Sequence, residues 1–290
     1  MANQTQVANL DPTIDTPQML ESYMDRAHYT NADKVRYLFG AGKPKISAVS
    51  LRTGTTDPIK ILDMSYWQDD KLIDYDLLAK SVDGVILRGA YGIWKDTRFD
   101  IHYNNLISRG VPIGSYDYLI GNYTGVAQAG AFGDAIKGKD LKLGLWMDVE
   151  DRRITTRISK AVTLDFDRRL TYLTGIKGDV YTGSYAWDEI MGDATFADRK
   201  LWIANYYVNA PRLPQKGGWK TWALWQYTDR GYHPGYGSQL DTNYYNGTES
   251  QFNQWIGLVE DNTPAVEMTV WAKELDTWAR SQGYAGSSPK

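Results

Sequence analysis

The sequence predicts an α/β protein whose strands close into one irregular barrel. From Ile59 onward, short apolar runs alternate with helical patterns, which is the order typical of a parallel α/β protein. Eight of these runs are candidate strands, and that number suggests a closed barrel. After the fifth run, glycine, proline and tyrosine replace the helical patterns. We therefore expect the last three strands to follow one another through loops or short helical turns.

The eight predicted strands are short apolar runs that end in polar or aromatic residues. They are 60–64, 84–89, 112–118, 143–149, 178–182, 201–204, 221–227 and 239–243. The clearest helix between them ends at Gly175, and its apolar residues share one face: Ile158, Val162, Phe166, Leu170 and Leu173. Such a stripe is expected of an outer helix that packs on a sheet.

The two ends of the chain differ from the barrel region. Residues 1–57 contain two helical patterns, the first with Thr16 as N-cap and the second between Thr30 and Gly40. Residues 259–290 begin with a turn-like DNTP and continue with a narrow apolar stripe: Met268, Trp271, Leu275 and Trp278. We predict a helical extension over 1–57, a barrel over 58–258, and a linker with an amphipathic helix over 259–290. The stripe fits docking or self-association, or a helix packed back on the barrel.

The composition excludes several classes of protein and site. The 32 Lys and Arg nearly balance the 35 Asp and Glu, so there is no basic footprint for nucleic acid. The absence of cysteine excludes disulfides, thiolate metal sites and cysteine nucleophiles. The three histidines form no HxxxH or HxH pair, so we predict no metal and no cofactor. No apolar run approaches the roughly 18 residues of a membrane span.

Acidic residues stand near the ends of several predicted strands: Asp63, Asp117, Asp148, Glu150 and Asp241. In a barrel, the loops at the carboxyl ends of the strands converge on one mouth. Residues two apart on a strand share a face, so Asp148 and Glu150 should both point into this mouth. Two like charges held close together raise one pKa, and the resulting acid suits glycoside hydrolysis.

A D-x-E sequence alone could also be a solvated loop or part of a metal ligand set. Here it follows the apolar run LGLWM, and burying two unpaired acids would cost several kcal/mol. A functional site explains that arrangement better. Tyrosine and tryptophan supply 32 of the 38 aromatic residues, and their flat faces with polar tips suit a cleft for sugars as well as a large core.

With these residues in view, the chain resembles the glycoside hydrolase family 25 lysozymes, the muramidases common among phage endolysins and bacterial wall-lytic enzymes. The resemblance covers roughly residues 59–247. It rests on eight blocks in the family's order: LDMSYWQ, VILRGAYG, DTRFDIHYNNLISRGVPIGSYDYL, LWMDVE, VYTGSYAW, LWIANYY, WQYTDRG and LDTNYY. It implies an irregular barrel of the (β/α)5β3 type. It also implies cleavage of the β-1,4 bond between N-acetylmuramic acid and N-acetylglucosamine in bacterial peptidoglycan.

The resemblance also implies roles for particular residues. Glu150 matches the family's general acid and Asp148 its D-x-E partner. Asp63 matches the aspartate of the first strand, and Asp241 matches that of the final D-x-N motif. Asp117 replaces a frequent histidine and would add a fifth acid near the mouth. The candidates for sugar contacts are Tyr91, Tyr116, Asp117, Tyr181, Tyr206, Trp225 and Gln226.

The sequence therefore predicts a muramidase that acts on peptidoglycan without a metal or cofactor. Residues 1–15 lack the basic start and apolar stretch of a secretory signal. A phage enzyme, released with a holin or carried by the virion, is the simplest expectation. Two alternatives stay open: a catalytically silent peptidoglycan-binding or structural phage protein on the same barrel, and a glycosidase for chitin-type chains. The presence of all four catalytic candidates favours an active enzyme.

Overall fold

A ring of eight strands forms the centre of the protein. The computed structural model describes residues 58–258, so the predictions for 1–57 and 259–290 lie outside the described residues. The strands are Lys60–Met64 (β1), Gly84–Tyr91 (β2), Trp94–Lys95 (β3), Ile113–Tyr118 (β4), Leu145–Asp148 (β5), Asp179–Gly183 (β6), Leu201–Ala204 (β7), Leu224–Gly231 (β8) and Leu240–Tyr245 (β9). Each of the eight predicted strands is present, and the two-residue β3 is an addition.

The ring closes because β1 pairs with strands on both of its sides. The order is β1-β9-β8-β7-β6-β5-β4-β2, with a further pairing of β1 with β2, and β3 pairs with β2. Neighbouring barrel strands are parallel from β1 through β2 and β4 to β8, whereas β9 runs antiparallel to both β8 and β1. The start of β9 therefore lies at the same end of the barrel as the carboxyl ends of the other strands.

Helices surround the first part of the barrel. They are Tyr75–Ser81 (α1), Phe99–Ile107 (α2), Gly125–Ile136 (α3), Lys160–Thr174 (α4), Ser184–Ile190 (α5) and Glu249–Trp255 (α6), and Asp70–Leu72 forms a 3-10 turn. The segments that join β7, β8 and β9, all within the described part of the chain, contain no helix. The prediction that the last three strands follow one another through loops is confirmed for these segments.

The predicted outer helix corresponds to α4. The Ser159 hydroxyl caps its start by accepting a hydrogen bond from the Val162 amide, and Gly175 ends it with a left-handed φ of 70°. Phe166 and Leu170 are buried in the layer between helices and sheet.

Alternation along the strands creates two apolar layers. One set of side chains, which includes Trp146, Tyr181 and Trp202, forms a single cluster with Ile61 and Ile86. Their strand neighbours, such as Leu62, Met147 and Val180, belong to the other cluster, with the helices. Within the first cluster the ring of Trp202 lies 4.5 Å from that of Tyr181 and 5.6 Å from that of Trp146. These large rings support the residues at the carboxyl ends of the strands.

The contact between α3 and α4 depends on Gly125. A Cβ at this position would lie 2.1 Å from the Val162 carbonyl oxygen and 2.4 Å from the Phe166 amide nitrogen. Both are backbone atoms of the neighbouring helix, so Gly125→Ala should force the helices apart and lower the free energy of unfolding by about 1–3 kcal/mol. Urea unfolding measures the loss.

Gly130 is the matched control on the same helix. A Cβ there meets no heavy atom within 4 Å, so Gly130→Ala should raise stability by about 0.5–1 kcal/mol through helix propensity alone. Equal unfolding midpoints for the two variants would contradict the close approach at Gly125.

Candidate active site

A cleft of about 220 Å³ opens among the carboxyl ends of the parallel strands. All four predicted catalytic acids line it: Asp63, Asp148, Glu150 and Asp241. Four of the predicted sugar contacts also line it: Tyr116, Tyr181, Tyr206 and Gln226. The remaining lining residues were not named from the sequence: Met64, Ser65, Trp67, Gln68, Arg88, Tyr118 and Trp202. The strand ends thus bring together acids that are far apart in the chain.

Three predicted sugar contacts, Tyr91, Asp117 and Trp225, do not line the cleft. The ring of Trp225 belongs to the apolar cluster that includes the helices, and its indole nitrogen donates to the Asn205 carbonyl oxygen at 2.8 Å. Because neighbouring strand residues face opposite sides, Trp225 and Gln226 cannot both point into the mouth. Tyr91 lies next to the cleft, with its ring stacked 5.2 Å from that of Tyr118.

A network of amide and hydroxyl groups holds Asp63 in place. Its Oδ2 accepts hydrogen bonds from Gln226 Nε2 and Asn243 Nδ2, both at 2.9 Å. The Gln226 Oε1 in turn accepts from the hydroxyls of Tyr181 at 2.8 Å and Tyr206 at 2.7 Å. These contacts orient the Gln226 amide so that its donor side faces the carboxylate. Asp63 on β1 is therefore fixed in position by amide side chains of β8 and β9.

Asn243 was missed by the sequence analysis. Its Oδ1 accepts a hydrogen bond from the Trp202 indole at 2.6 Å, and its Nδ2 donates both to Asp63 and to the Ile61 carbonyl oxygen. The signal for it was present in the sequence, because Asn243 follows Asp241 by two residues on β9 and so shares its face.

The carboxyl groups of Asp63 and Asp241 lie close enough to affect each other's pKa. They stand opposite each other in the antiparallel register of β1 and β9. Burial raises the pKa of Asp63, while its hydrogen bonds from Asn243 and Gln226 act in the opposite direction. Burial, followed by the charge of Asp63, raises the pKa of Asp241 to about 8. Since the amide donors favour the charged form of Asp63, we assign the proton at neutral pH to Asp241.

Glu150 is suited to carry a transferable proton. Loss of water contact and the nearby charge of Asp63 raise the pKa of Glu150 to about 7, whereas Arg152 acts in the opposite direction. Asp148 is almost fully buried, and its Oδ1 has no hydrogen-bond partner among the described residues. Burial and the charges of Glu150 and Asp63 raise its pKa well above the usual range. Glu150 can therefore titrate near neutrality beside an uncharged Asp148.

Arg88 supplies a fixed positive charge at the cleft. Its Nε and Nη2 each lie 2.8 Å from Asp96 Oδ2, and its guanidinium lies 4.7 Å from the centre of the Tyr66 ring. The Asp96 carboxylate also accepts from the backbone amides of Tyr66 and Arg98, both at 2.9 Å. An arginine within the apolar run VILRGAY could have been recognised as a site residue from the sequence.

The position of Asp117 differs from the prediction of a fifth acid near the mouth. It is fully buried and does not line the cleft, whereas its neighbour Tyr116 does. Burial raises the pKa of Asp117 well above the usual range, opposed by the Gly92 amide and the charge of Arg88. The folded protein therefore keeps a proton that the unfolded chain releases above about pH 4.

Asp117 should therefore make a contribution to the free energy of unfolding that falls as the pH rises, and Asp117→Asn should remove this contribution. Between about pH 5 and about pH 7, the wild type should lose stability more steeply than Asp117→Asn, by at most about 1.4 kcal/mol per pH unit. Urea unfolding at several pH values measures the slopes. The exposed Asp134→Asn on α3 is the control and should keep the wild-type slope. Parallel slopes for wild type and Asp117→Asn would contradict a buried, protonated Asp117.

Residues 58–258 contain no candidate metal site. No group of three or more His, Cys, Asp or Glu side chains in this range could hold a metal ion. Two histidines fall in this range: His102 Nδ1 lies 2.6 Å from the Tyr75 hydroxyl, and His233 Nε2 lies 2.9 Å from the Thr242 hydroxyl. Among the helices of these residues, none has the length and apolar character needed to cross a membrane.

Comparison with known proteins identifies the family to which the chain belongs. The family model described as glycosyl hydrolases family 25 matches residues 62–236. Lysozyme M1 of Streptomyces globisporus is 26% identical over 211 residues, which are 68% of this chain and 70% of the relative.

Two solved structures share the fold. A bacterial lysozyme from Streptomyces coelicolor has a TM-score of 0.62 and 24% identity, with 71% of this chain and 100% of that chain covered. The catalytic domain of an endolysin from a bacteriophage of Listeria monocytogenes has a TM-score of 0.58 and 24% identity, with 70% and 100% covered. Because the family model spans more than half of the sequence, the chain belongs to glycosyl hydrolases family 25 and is a glycoside hydrolase.

Proposed function

We propose that the protein hydrolyses bacterial peptidoglycan as an N-acetylmuramidase that cuts the β-1,4 bond between N-acetylmuramic acid and N-acetylglucosamine. The observation that carries the proposal is the set of acids in the cleft, where Glu150 has a pKa of about 7 beside a charged Asp63. Family membership and the similarity to Lysozyme M1 support peptidoglycan as the substrate. The sequence prediction of the four catalytic acids becomes part of this proposal.

Glu150 acts first as the general acid. It donates its proton to the glycosidic oxygen as the bond to the sugar breaks, and the leaving chain departs with a new hydroxyl group. The remaining sugar ring develops positive charge. The ionised Asp63, held by Gln226 and Asn243, stabilises this charge without having to reorient. Glu150, now a carboxylate, then accepts a proton from the water that completes hydrolysis.

Asp148 and Asp241 complete the charge arrangement of the cleft. Both carry raised pKa values, so they add acidic groups without adding full negative charges at neutral pH. If the other three acids of the cleft were all ionised, their charges would hold the Glu150 proton too tightly for it to be donated. Keeping two of them neutral leaves Glu150 near the pH at which an acid catalyst is most effective.

A reducing-end assay tests this function directly. Purified protein is incubated with purified peptidoglycan, the new reducing ends are counted, and the terminal sugars are identified after borohydride reduction. Reduced N-acetylmuramic acid is the expected product. Reduced N-acetylglucosamine from peptidoglycan, or a preference for chitin oligomers, would instead support the chitin-type alternative. Binding to peptidoglycan without release of reducing ends would support a silent binding protein.

We propose further that the enzyme acts as a phage lysin that reaches the host wall with a holin or on the virion. The fold shared with the endolysin catalytic domain supports this setting. Expression of the enzyme alone inside a susceptible host should leave cells intact, and co-expression with a pore-forming holin should lyse them. Lysis of equal extent without the holin would contradict release through that route.

A further inference from the structure

Tyr207 adopts a backbone conformation that is unfavourable for its side chain. Its φ of 58° makes it the one non-glycine residue with a left-handed backbone among residues 58–258. Bulky residues are uncommon there because Cβ approaches the following carbonyl oxygen. Burial does not compensate for this, since Tyr207 is 66% exposed. The fold therefore tolerates a cost in order to present an aromatic ring to solvent, which is typical of functional positions.

Polar contacts hold the exposed ring in place. The Tyr207 hydroxyl donates a hydrogen bond to the Asp229 carboxylate on β8. The Tyr207 amide donates to the Tyr227 carbonyl oxygen at 3.3 Å, and the Arg230 guanidinium lies 5.9 Å from the centre of the ring. A flexible surface tyrosine would lack these restraints. The ring is thus a rigid platform with one face available to a ligand.

The platform adjoins the catalytic cleft. The ring of Tyr207 lies 6.1 Å from that of Tyr206, which lines the cleft. The Tyr206 hydroxyl contacts Gln226, and Gln226 donates to Asp63. An unbroken series of contacts therefore leads from a catalytic acid to the exposed ring.

We propose that Tyr207 forms an outer subsite that binds a sugar ring of the glycan strand beyond the sugars next to the cleaved bond. This inference rests on the proposed function, because it requires a polymeric glycan. The cleft of about 220 Å³ is smaller than the roughly 300–1,000 Å³ typical of ligand pockets, so a glycan polymer must continue over its rim. The apolar face of a pyranose ring pairs with the face of an aromatic ring, while its hydroxyls stay in water.

Kinetics on two substrates test the subsite. Tyr207→Gly removes the ring and also relieves the backbone. On long soluble glycan strands freed of stem peptides, its KM should rise about five- to tenfold with little change in kcat, because only uniform binding is lost. On a tetrasaccharide the increase should stay below about twofold. Tyr207→Phe keeps the ring but loses the bond to Asp229, and its KM on long strands should lie between those of the wild type and Tyr207→Gly.

Thermal unfolding separates binding from a structural role. Glycine adopts a left-handed φ without strain, so the Tm of Tyr207→Gly should be no lower than that of the wild type. A lower Tm together with a lower kcat would overturn the subsite in favour of packing. An equal KM increase on both substrates, or none on long strands, would also overturn it. Ile176→Ala, an exposed apolar residue before the start of β6, is the surface control and should keep the wild-type KM.

A binding measurement keeps the subsite testable without turnover. Wild type that releases no reducing ends from either substrate would mean that the proposed function has failed. Equilibrium binding of long strands is therefore compared between Glu150→Gln and Glu150→Gln with Tyr207→Gly. We expect Kd to be about five- to tenfold higher for the double variant. Equal Kd values would remove Tyr207 from glycan binding, whatever the catalytic result.

Discussion

Glu150→Gln should lower turnover on peptidoglycan by at least about 100-fold, which is the lower end of general-acid contributions. Glutamine has nearly the same shape but no proton that can pass to the glycosidic oxygen. The side chain lines the cleft and is only partly buried, so the fold should remain intact. Reducing-end release measures the loss, and circular dichroism with the Tm checks the fold.

The pH dependence of the wild type gives an independent test of the same role. The acid must be protonated before it reacts, so kcat/KM, which reports ionisations of the free enzyme, should fall as the pH rises through the Glu150 pKa of about 7. Glu249→Gln, in the first turn of α6 and outside the cleft, is the control and should keep both turnover and the pH profile. Near wild-type turnover in folded Glu150→Gln would remove Glu150 from the role of acid.

The strand pattern of the barrel was predictable because it depends on local chemistry. Apolar runs bounded by turn residues located all eight barrel strands, and the bounds of β1 and β7 were predicted without error. The stop at Gly175 was predictable because a left-handed C-terminal residue favours glycine. The direction of β9 was not predictable in this way. An antiparallel and a parallel strand carry the same apolar run, and only the pairing with β1 and β8 distinguishes them.

Side-chain alternation explains which of the predicted site residues line the cleft and which do not. Asp148 and Glu150 are two residues apart and both line the cleft, as predicted. Tyr116 and Asp117 are adjacent in β4, so at most one of them could face the mouth. For the same reason Gln226 lines the cleft, whereas the adjacent Trp225 faces away from it. In β4 and β8, alternation therefore directs one residue of each of these adjacent pairs toward the cleft and the other away from it.

The amide network around Asp63 was harder to predict, because it depends on contacts between distant strands. Gln226 and Asn243 follow Asp63 by 163 and 180 positions in the sequence. Glutamine and asparagine carry no charge pattern that marks them as site residues. Their importance comes from the direction of one amide group, which the Tyr181 and Tyr206 hydroxyls determine. Such orientation belongs to the folded barrel and not to any local segment.

Asp63→Asn should lower turnover by about 10²–10³-fold, the range found when one preorganised electrostatic group is removed. The asparagine side-chain oxygen can still accept from Gln226 and Asn243, so the amide network and the fold should persist. The negative charge that stabilises the developing positive sugar would be gone. Asp179→Asn is a matched control, because that buried carboxylate stands at the start of β6 and outside the cleft. It should affect stability but not turnover per folded molecule.

Asp63→Asn should also move the pH profile, which a purely structural role would not do. The charge of Asp63 raises the pKa of both Glu150 and Asp241. Its removal should lower the pKa of Glu150, so the alkaline fall of the residual kcat/KM should begin at a lower pH than in the wild type. A folded variant with reduced turnover but an unshifted profile would mean that Asp63 and Glu150 do not interact. Wild-type turnover would mean that the stabilising charge comes from another carboxylate of the cleft.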